Sequence, residues 1–424
     1  QDWEEGITPS YQEMIIIPDE EKAVFICTYD VDDQTGTYKT KAINSKNEDI
    51  FTEYDQVEAI DNMDKNNNLW YEKNVLKVSK NGKYGLIDFN GKELLPIEYD
   101  EITTLDGMEN SIIIKKDEKV GLVNDNGSII IDVNYKEIKA LGETYKEGYI
   151  TIDESDKYGV VSATKRQILE NKYDEISSVY LKDYYLVKEN GKKELIDSDG
   201  KVILDAGFDD IKSATTNGVI FIKNNLYGEI STSGEVTLEA KYQDLKEVKE
   251  GKYIAKQNDK YGIIDNVGNE QLAFEYAGIT YNEKADLFFA EDSEYNTSII
   301  DDLYAVKATG ILSEVNEEDG YIRMRVNDDY KYYDLNGEET EKTKVLKNNT
   351  IFLDKQNGKY GYVDKKGNAV TEYIYDDATE QNKYGYVAVK KDGLWGSLDK
   401  NGKEVKITSP LTAMKNGIAY LPED

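Results

Sequence analysis

Carboxylates are the first residues to examine for chemistry, because Asp and Glu number 84 and can bind calcium, hold protons or attack a sugar. Two stretches begin like calcium loops. In Asp30-Val31-Asp32-Asp33-Gln34-Thr35-Gly36 the glycine comes one place late, and Lys41 stands where a bidentate acid belongs. In Asp64-Lys65-Asn66-Asn67-Asn68 the sixth-position glycine is missing and the twelfth position is Val75. Both read as solvated turns. Two acids facing one cleft, one of them held protonated, would suit glycoside hydrolysis. The recurring Asp88, Asp197, Asp265, Asp364 and Asp399, however, each stand three places ahead of a glycine, so turn geometry accounts for them. No catalytic residue is assigned.

Other chemistries lack their residues. There is no histidine, which removes the usual nucleophile-base systems. The single cysteine, Cys27, lies in the apolar run Val24-Phe25-Ile26-Cys27 and reads as a buried small hydrophobe. No disulfide framework, metal site or cofactor is expected. Glycines come singly rather than in a phosphate-binding loop. Aromatics remain, with 34 Tyr, 9 Phe and 3 Trp. Most recur regularly and read as packing. Trp70-Tyr71, Tyr180, Tyr184-Tyr185, Tyr295 and Tyr304 break that pattern. Of these, Trp70, Tyr71, Tyr184 and Tyr185 are the candidate binding residues, since rings on a rigid β surface can stack on sugars or anchor a protein.

A net charge of −32 repels phosphate backbones and anionic lipid, so neither nucleic acid nor direct membrane insertion is expected. No apolar run nears the roughly 18 residues of a membrane span. Arg166, Arg323 and Arg325 are the only arginines, a bias that suits an AT-rich bacterial genome. The chain opens at Gln1 without a methionine, and the expectation is export with a signal peptide removed; a cytoplasmic location is the alternative.

The elements that must position these residues are built on one template. Tyr84-Gly85-Leu86-Ile87-Asp88 reads as a short strand, Asp88-Phe89-Asn90-Gly91 as a tight turn and Lys92-Glu93-Leu94-Leu95 as the returning strand, followed by Tyr99-Asp100-Glu101-Ile102. Gly85 calls for either a bulge or a ring packed over its bare backbone. The glycine position recurs at Gly121, Gly159, Glu194, Gly228, Gly262, Ser298, Lys331, Gly361 and Gly396, at intervals of 30 to 38 residues. Such a period means a solenoid, propeller or other array. One further strand precedes each marker, as in Ser111-Ile112-Ile113-Ile114, and helical periodicity is missing.

Aromatic-Gly, two apolar residues, Asp, a turn glycine and a later Tyr-Asp resemble the WG-type, or KWG, β-repeat of bacterial proteins. Trp395-Gly396 carries the family's Trp; elsewhere Tyr stands in, or Val at Val120. The resemblance implies an all-β array and usually a non-enzymatic role in surface, secreted or scaffold proteins.

The expected fold is therefore all-β, with about eleven tandem repeats of three to four short antiparallel strands. An open curved array, superhelical or propeller-like, is expected ahead of two closed propellers. Residues 1–41 read as an N-terminal capping segment, 42–403 as the repeats and 404–424 as a C-terminal capping strand. The expected function is a non-catalytic binding or scaffold protein presenting an acidic β surface to a protein or envelope glycan. The alternatives are an Asp/Glu-dependent carbohydrate-active enzyme and an intracellular stress or signalling scaffold.

Overall fold

The computed structural model describes residues 13–18 and 23–406. The expected last strand, Gly417 to Leu421, and most of the C-terminal capping segment lie outside the described residues. Strands form nearly all the regular structure. Among the described residues the only helices are the short Tyr145–Glu147 and Lys342–Val345. The chain divides into two compact units, Gln1–Leu245 and Lys246–Asp424.

The repeating piece is a four-stranded antiparallel meander. In the sheet spanning 56–99, strands Gln56–Met63, Leu69–Lys80, Lys83–Ile87 and Glu93–Tyr99 pair in chain order. There are eight such sheets, a seven-stranded sheet in which two modules share strand Val306–Asn316, and a two-stranded pair at 352–363. Among the described residues that makes eleven modules. Strands Glu13–Pro18 and Ala23–Asp32, from the segment expected as a cap, belong to the first sheet.

The apolar pair that follows most marker glycines explains the stacking; Gly228 and Gly396 are followed instead by the buried Glu229 and Ser397. Successive strand residues point to opposite faces. Leu86 accordingly enters a core with Ile102, Ile112 and Ile114 of the following sheet, whereas Ile87 packs with Val24, Ile26 and Ala42 of the preceding one. Leu122/Val123, Val160/Val161 and Leu195/Ile196 divide in the same way. Within the first unit each interior sheet is thus buried on both faces, and its oily surface is covered only by its neighbours.

The bulge account of the marker glycine holds at Gly85, and the ring account only at some other copies. Tyr84 pairs with Tyr99 and Leu86 with Leu95, leaving Gly85 opposite a bulge. A Cβ there would lie 2.7 Å from the Leu95 carbonyl oxygen. The return-strand carbonyl presses in similarly at Gly121, Gly159, Gly228, Gly262 and Gly361. Aromatic atoms also close on the space at Gly228 (Phe221), Gly262 (Phe274) and Gly361 (Tyr373). For Gly396, nothing approaches within 4 Å among the described residues.

The recurring Asp is a turn residue. Asp88 Oδ1 accepts the Asn90 and Lys92 N–H groups, and Gly91 N–H donates to the Asp88 carbonyl. Asp197, Asp265, Asp364 and Asp399 do the same. The Asp of Tyr-Asp has a different task. Tyr99 ends one sheet and Glu101 starts the next. Between them Asp100 donates its N–H to Lys115 and accepts from Lys83 behind and from the Asp117 N–H ahead. Lys157-Asp174-Asn190 and Lys359-Asp376-Asp392 repeat this clasp. The sequence repeat therefore straddles two sheets.

Candidate binding clefts

Module 56–99 departs from the template between its first two strands. Ala59 pairs with Leu76, but Ile60 alone faces Glu72, Lys73, Asn74 and Val75 before pairing resumes at Asp61–Tyr71, Asn62–Trp70 and Met63–Leu69. A bulge of this kind re-aims side chains, and here it turns Glu72 inward. The hairpin continues beyond it as an arm. The arm's tip is the turn at Asp64, whose Oδ1 accepts the Asn66 and Asn68 N–H groups, so this calcium-like stretch is spent on a turn. Buried Asn62 holds the arm down. Its amide donates to the Leu105 carbonyl at 3.0 Å and the Met108 carbonyl at 3.2 Å, and accepts the Gly107 N–H at 2.9 Å.

The arm, the 105–111 loop, the turn at Asp125 and the 143–145 segment enclose a cleft of about 570 Å³. Trp70, Tyr71 and Tyr145 supply rings, Glu72, Glu109, Asp125 and Glu143 supply acids, and Lys73 supplies one base. Trp70 and Tyr71 are half-buried. Glu143 is paired with Lys65 at 2.8 Å. Asp125 is braced, with its N–H on Asn110 Oδ1 at 2.7 Å and its carboxylate receiving the Asn74 amide at 3.2 Å.

Glu72 is the unusual group. It is only 4 % exposed, and its Oε1 has no hydrogen-bond partner. Its carboxyl accepts the Asn110 N–H. Burial, then the negative charges of Asp125 and Glu109, push its pKa up to about 7 against that hydrogen bond. Ser111, beside Asn110, bonds the buried Tyr149 hydroxyl at 2.6 Å.

A second cleft of about 530 Å³ carries charges of both signs, with Glu147 and Asp183 among its acids. It lies around Tyr180, Tyr184 and Tyr185 with Arg166, Lys146 and Lys182 on its walls. Tyr180 is 68 % exposed at φ +59°. Tyr184 packs partly against the core. Tyr185 is a core residue: it faces away from Tyr184 on the same strand and packs with Val160, Leu169 and Ile196. Its ring is therefore not free to stack on a ligand.

Tyr295 and Tyr304 break the aromatic pattern for a backbone reason. Each sits at the turn-glycine position, at φ +66°, with its N–H on the Asp three residues earlier. Sequence reasoning missed Glu72, Asn110, Asp125 and Tyr145. The usable signal was the long gap between the strand at Val57 and the marker at Gly85, with Trp-Tyr-Glu inside it.

A family profile described as WG containing repeat matches residues 84–119, 158–192, 195–225, 227–261 and 360–395. The first four of these segments share one strand arrangement, and 360–395 keeps it with isolated bridges in place of the return strand. These five segments are WG-containing repeats. Trp70, Tyr71 and Glu72 of this WG-repeat chain lie outside the matched segments. No curated protein matches it in sequence. Among solved structures it is similar to a eukaryotic initiation factor, at 8 % identity and TM-score 0.31, over 78 % of this chain and 94 % of that one. It is also similar to BamB from Moraxella catarrhalis, at 10 % identity and TM-score 0.21, over 77 % and 92 %. A third is virginiamycin B lyase from Staphylococcus aureus, at 11 % identity and TM-score 0.21, over 60 % and 91 %.

Proposed function

We propose that this WG-repeat chain is a non-catalytic binding protein that seats a cell-envelope glycan in the Trp70 cleft, at or outside the cell surface. The observation behind this reading is the cleft's composition. Half-buried rings stand beside fixed polar groups in a concavity made by residues that the repeat does not need. Sugars are held by stacking on such rings while polar groups set orientation. A protein partner would need a broad face of roughly 800 Å² on each side, and a cleft of this kind is not one. The test is a glycan array followed by calorimetry on the full chain. Binding that Trp70→Ala abolishes, with the circular dichroism unchanged, supports the reading. Glycan binding indifferent to Trp70→Ala and Tyr145→Ala, or protein partners captured without any glycan, would sink it.

One observation favours a second reading, an Asp/Glu-dependent carbohydrate-active enzyme. Glu72 keeps its proton to about pH 7 in a cleft shared with Asp125, as a general acid must. Release of reducing ends from the bound glycan, lost in Glu72→Gln, would establish it. Intact glycan after prolonged incubation keeps the binding reading.

A further inference from the structure

We propose that the group recognised in the Trp70 cleft is the free ammonium of an amino sugar, received by Glu72 together with Asp125 and Glu109. This rests on the glycan reading above and names the feature of the glycan that is selected.

Glu72 is more than nine-tenths buried, lines the cleft and leaves Oε1 without a donor. A buried carboxyl oxygen without a partner is costly, and native structures seldom keep one without a use for it. The charges acting on it, from Asp125 and Glu109, are both negative. Asn110 holds the Asp125 backbone N–H, and the Asn74 amide holds its carboxylate. Lys73 also stands on the cleft wall, but no positive charge acts on Glu72 itself, and Oε1 still lacks a donor.

An ammonium supplies both. It gives Oε1 a charge-assisted hydrogen bond and relieves the repulsion among the three carboxyls. A cation beside Trp70 or Tyr145 also gains from the ring face. An N-acetylated sugar offers an amide N–H without the charge, and it leaves the carboxyl cluster uncompensated. A neutral sugar offers hydroxyls only. The aromatic rings would accept all three, so the carboxyls are what discriminates. No bond is made or broken in this recognition.

The test uses the full chain and two probes: a pentamer of glucosamine and a pentamer of N-acetylglucosamine, titrated by calorimetry in low and in high salt. The expected result is binding of the free-amine pentamer at least about tenfold tighter, a gap worth roughly 1.4 kcal/mol. Glu72→Gln, an isosteric change, should bring the two pentamers to equal affinity, and Asp125→Asn should narrow the gap. Equal binding of both pentamers by the wild-type chain, still lost in Trp70→Ala, overturns the ammonium selection while the glycan reading stands. Binding of neither overturns the ammonium proposal, and the array then decides the glycan reading. Binding of the free-amine pentamer that Glu72→Gln, Asp125→Asn and Trp70→Ala all leave unchanged is attraction to the acidic surface at large, and it also overturns the proposal.

Discussion

Two modules of the first unit, 56–99 and 210–242, are the same scaffold put to different ends. Each has its marker glycine against a bulge, Gly85 facing the Leu95 carbonyl and Gly228 the Leu238 carbonyl. Each ends in a paired tyrosine, Tyr84–Tyr99 and Tyr227–Tyr242. Each makes its turn with a side-chain oxygen, from Asp88 and from Ser231. They differ in the marker strand, where buried Glu229 stands at the place of Leu86, and most widely between the first two strands. In 210–242 that connection is a tight turn in which the Thr215 N–H meets the Gly218 carbonyl and Thr215 Oγ1 takes the Gly218 N–H. In 56–99 it is the arm with its bulge, Trp70 and Glu72. Residues that recur are committed to stacking the sheets, and the connection is the place where a module can change without disturbing its neighbours.

If that division is correct, the largest effect comes from the shared scaffold and is equal in both modules. Gly85→Ala and Gly228→Ala would set a Cβ 2.7 Å and 2.6 Å from a backbone carbonyl oxygen. Each should lower stability by about 3 kcal/mol, measured by urea unfolding. A marked loss at one and tolerance at the other would break the equivalence. The next effect belongs to the arm alone. Glu72 has its pKa raised from 4.5 to about 7. A carboxyl raised on folding adds no penalty below its unfolded value. The penalty grows between the two values and is complete above the folded one. Glu72→Gln should therefore raise the melting temperature at pH 8, by an amount corresponding to about 2 kcal/mol after allowing for the amide's unmet donors, and change little at pH 4.

The same division decides what could be read in the chain before its structure. The third strands were legible because Gly-apolar-apolar-Asp is a local instruction: a bulge, two buried faces and a turn. Even the weak markers at Glu194, Ser298 and Lys331 fall on the third strand of a module. Two features were not local. The Tyr-Asp strand belongs to the following sheet, and only the clasp at Asp100 shows that. The cleft needs the arm of one module, the loop of the next at Asn110 and the segment at Tyr145 of a third, and no period in the sequence joins them. Trp70 and Tyr71 stood out because they broke the pattern. Glu72 looked like one more acid in an acidic chain, since burial is what sets it apart and composition does not reveal burial. Tyr185 misled in the other direction: beside Tyr184 it seemed to extend an exposed pair, but the strand's alternation sends it into the core.

The smaller effects sharpen the comparison from both sides. Asn62→Ala removes three hydrogen bonds that tie the arm to the 105–108 loop. Some of those backbone groups regain water, so the cost should be about 1.5 kcal/mol and confined to the arm. Hydrogen exchange should quicken at Gly107 and Met63 while the amides of strand Lys83–Ile87 stay protected. Exchange that quickens along the whole sheet would mean that the arm is part of the scaffold after all. The smallest effect is expected at the exposed Lys83–Asp100 clasp. Lys83 and the Asp117 N–H hold the Asp100 carboxyl below its usual value, so its contribution is present above the unfolded value near 4 and lost as pH falls through the folded one. Lys83→Met should shift the neutral-pH melting temperature less than any change above, and the shift should vanish in high salt. Lys157→Met and Lys359→Met should match it, because the three clasps are the same device. A clear cost at Lys83 alone would mean that this clasp also supports the neighbouring arm, and the line drawn between scaffold and connection would have to move.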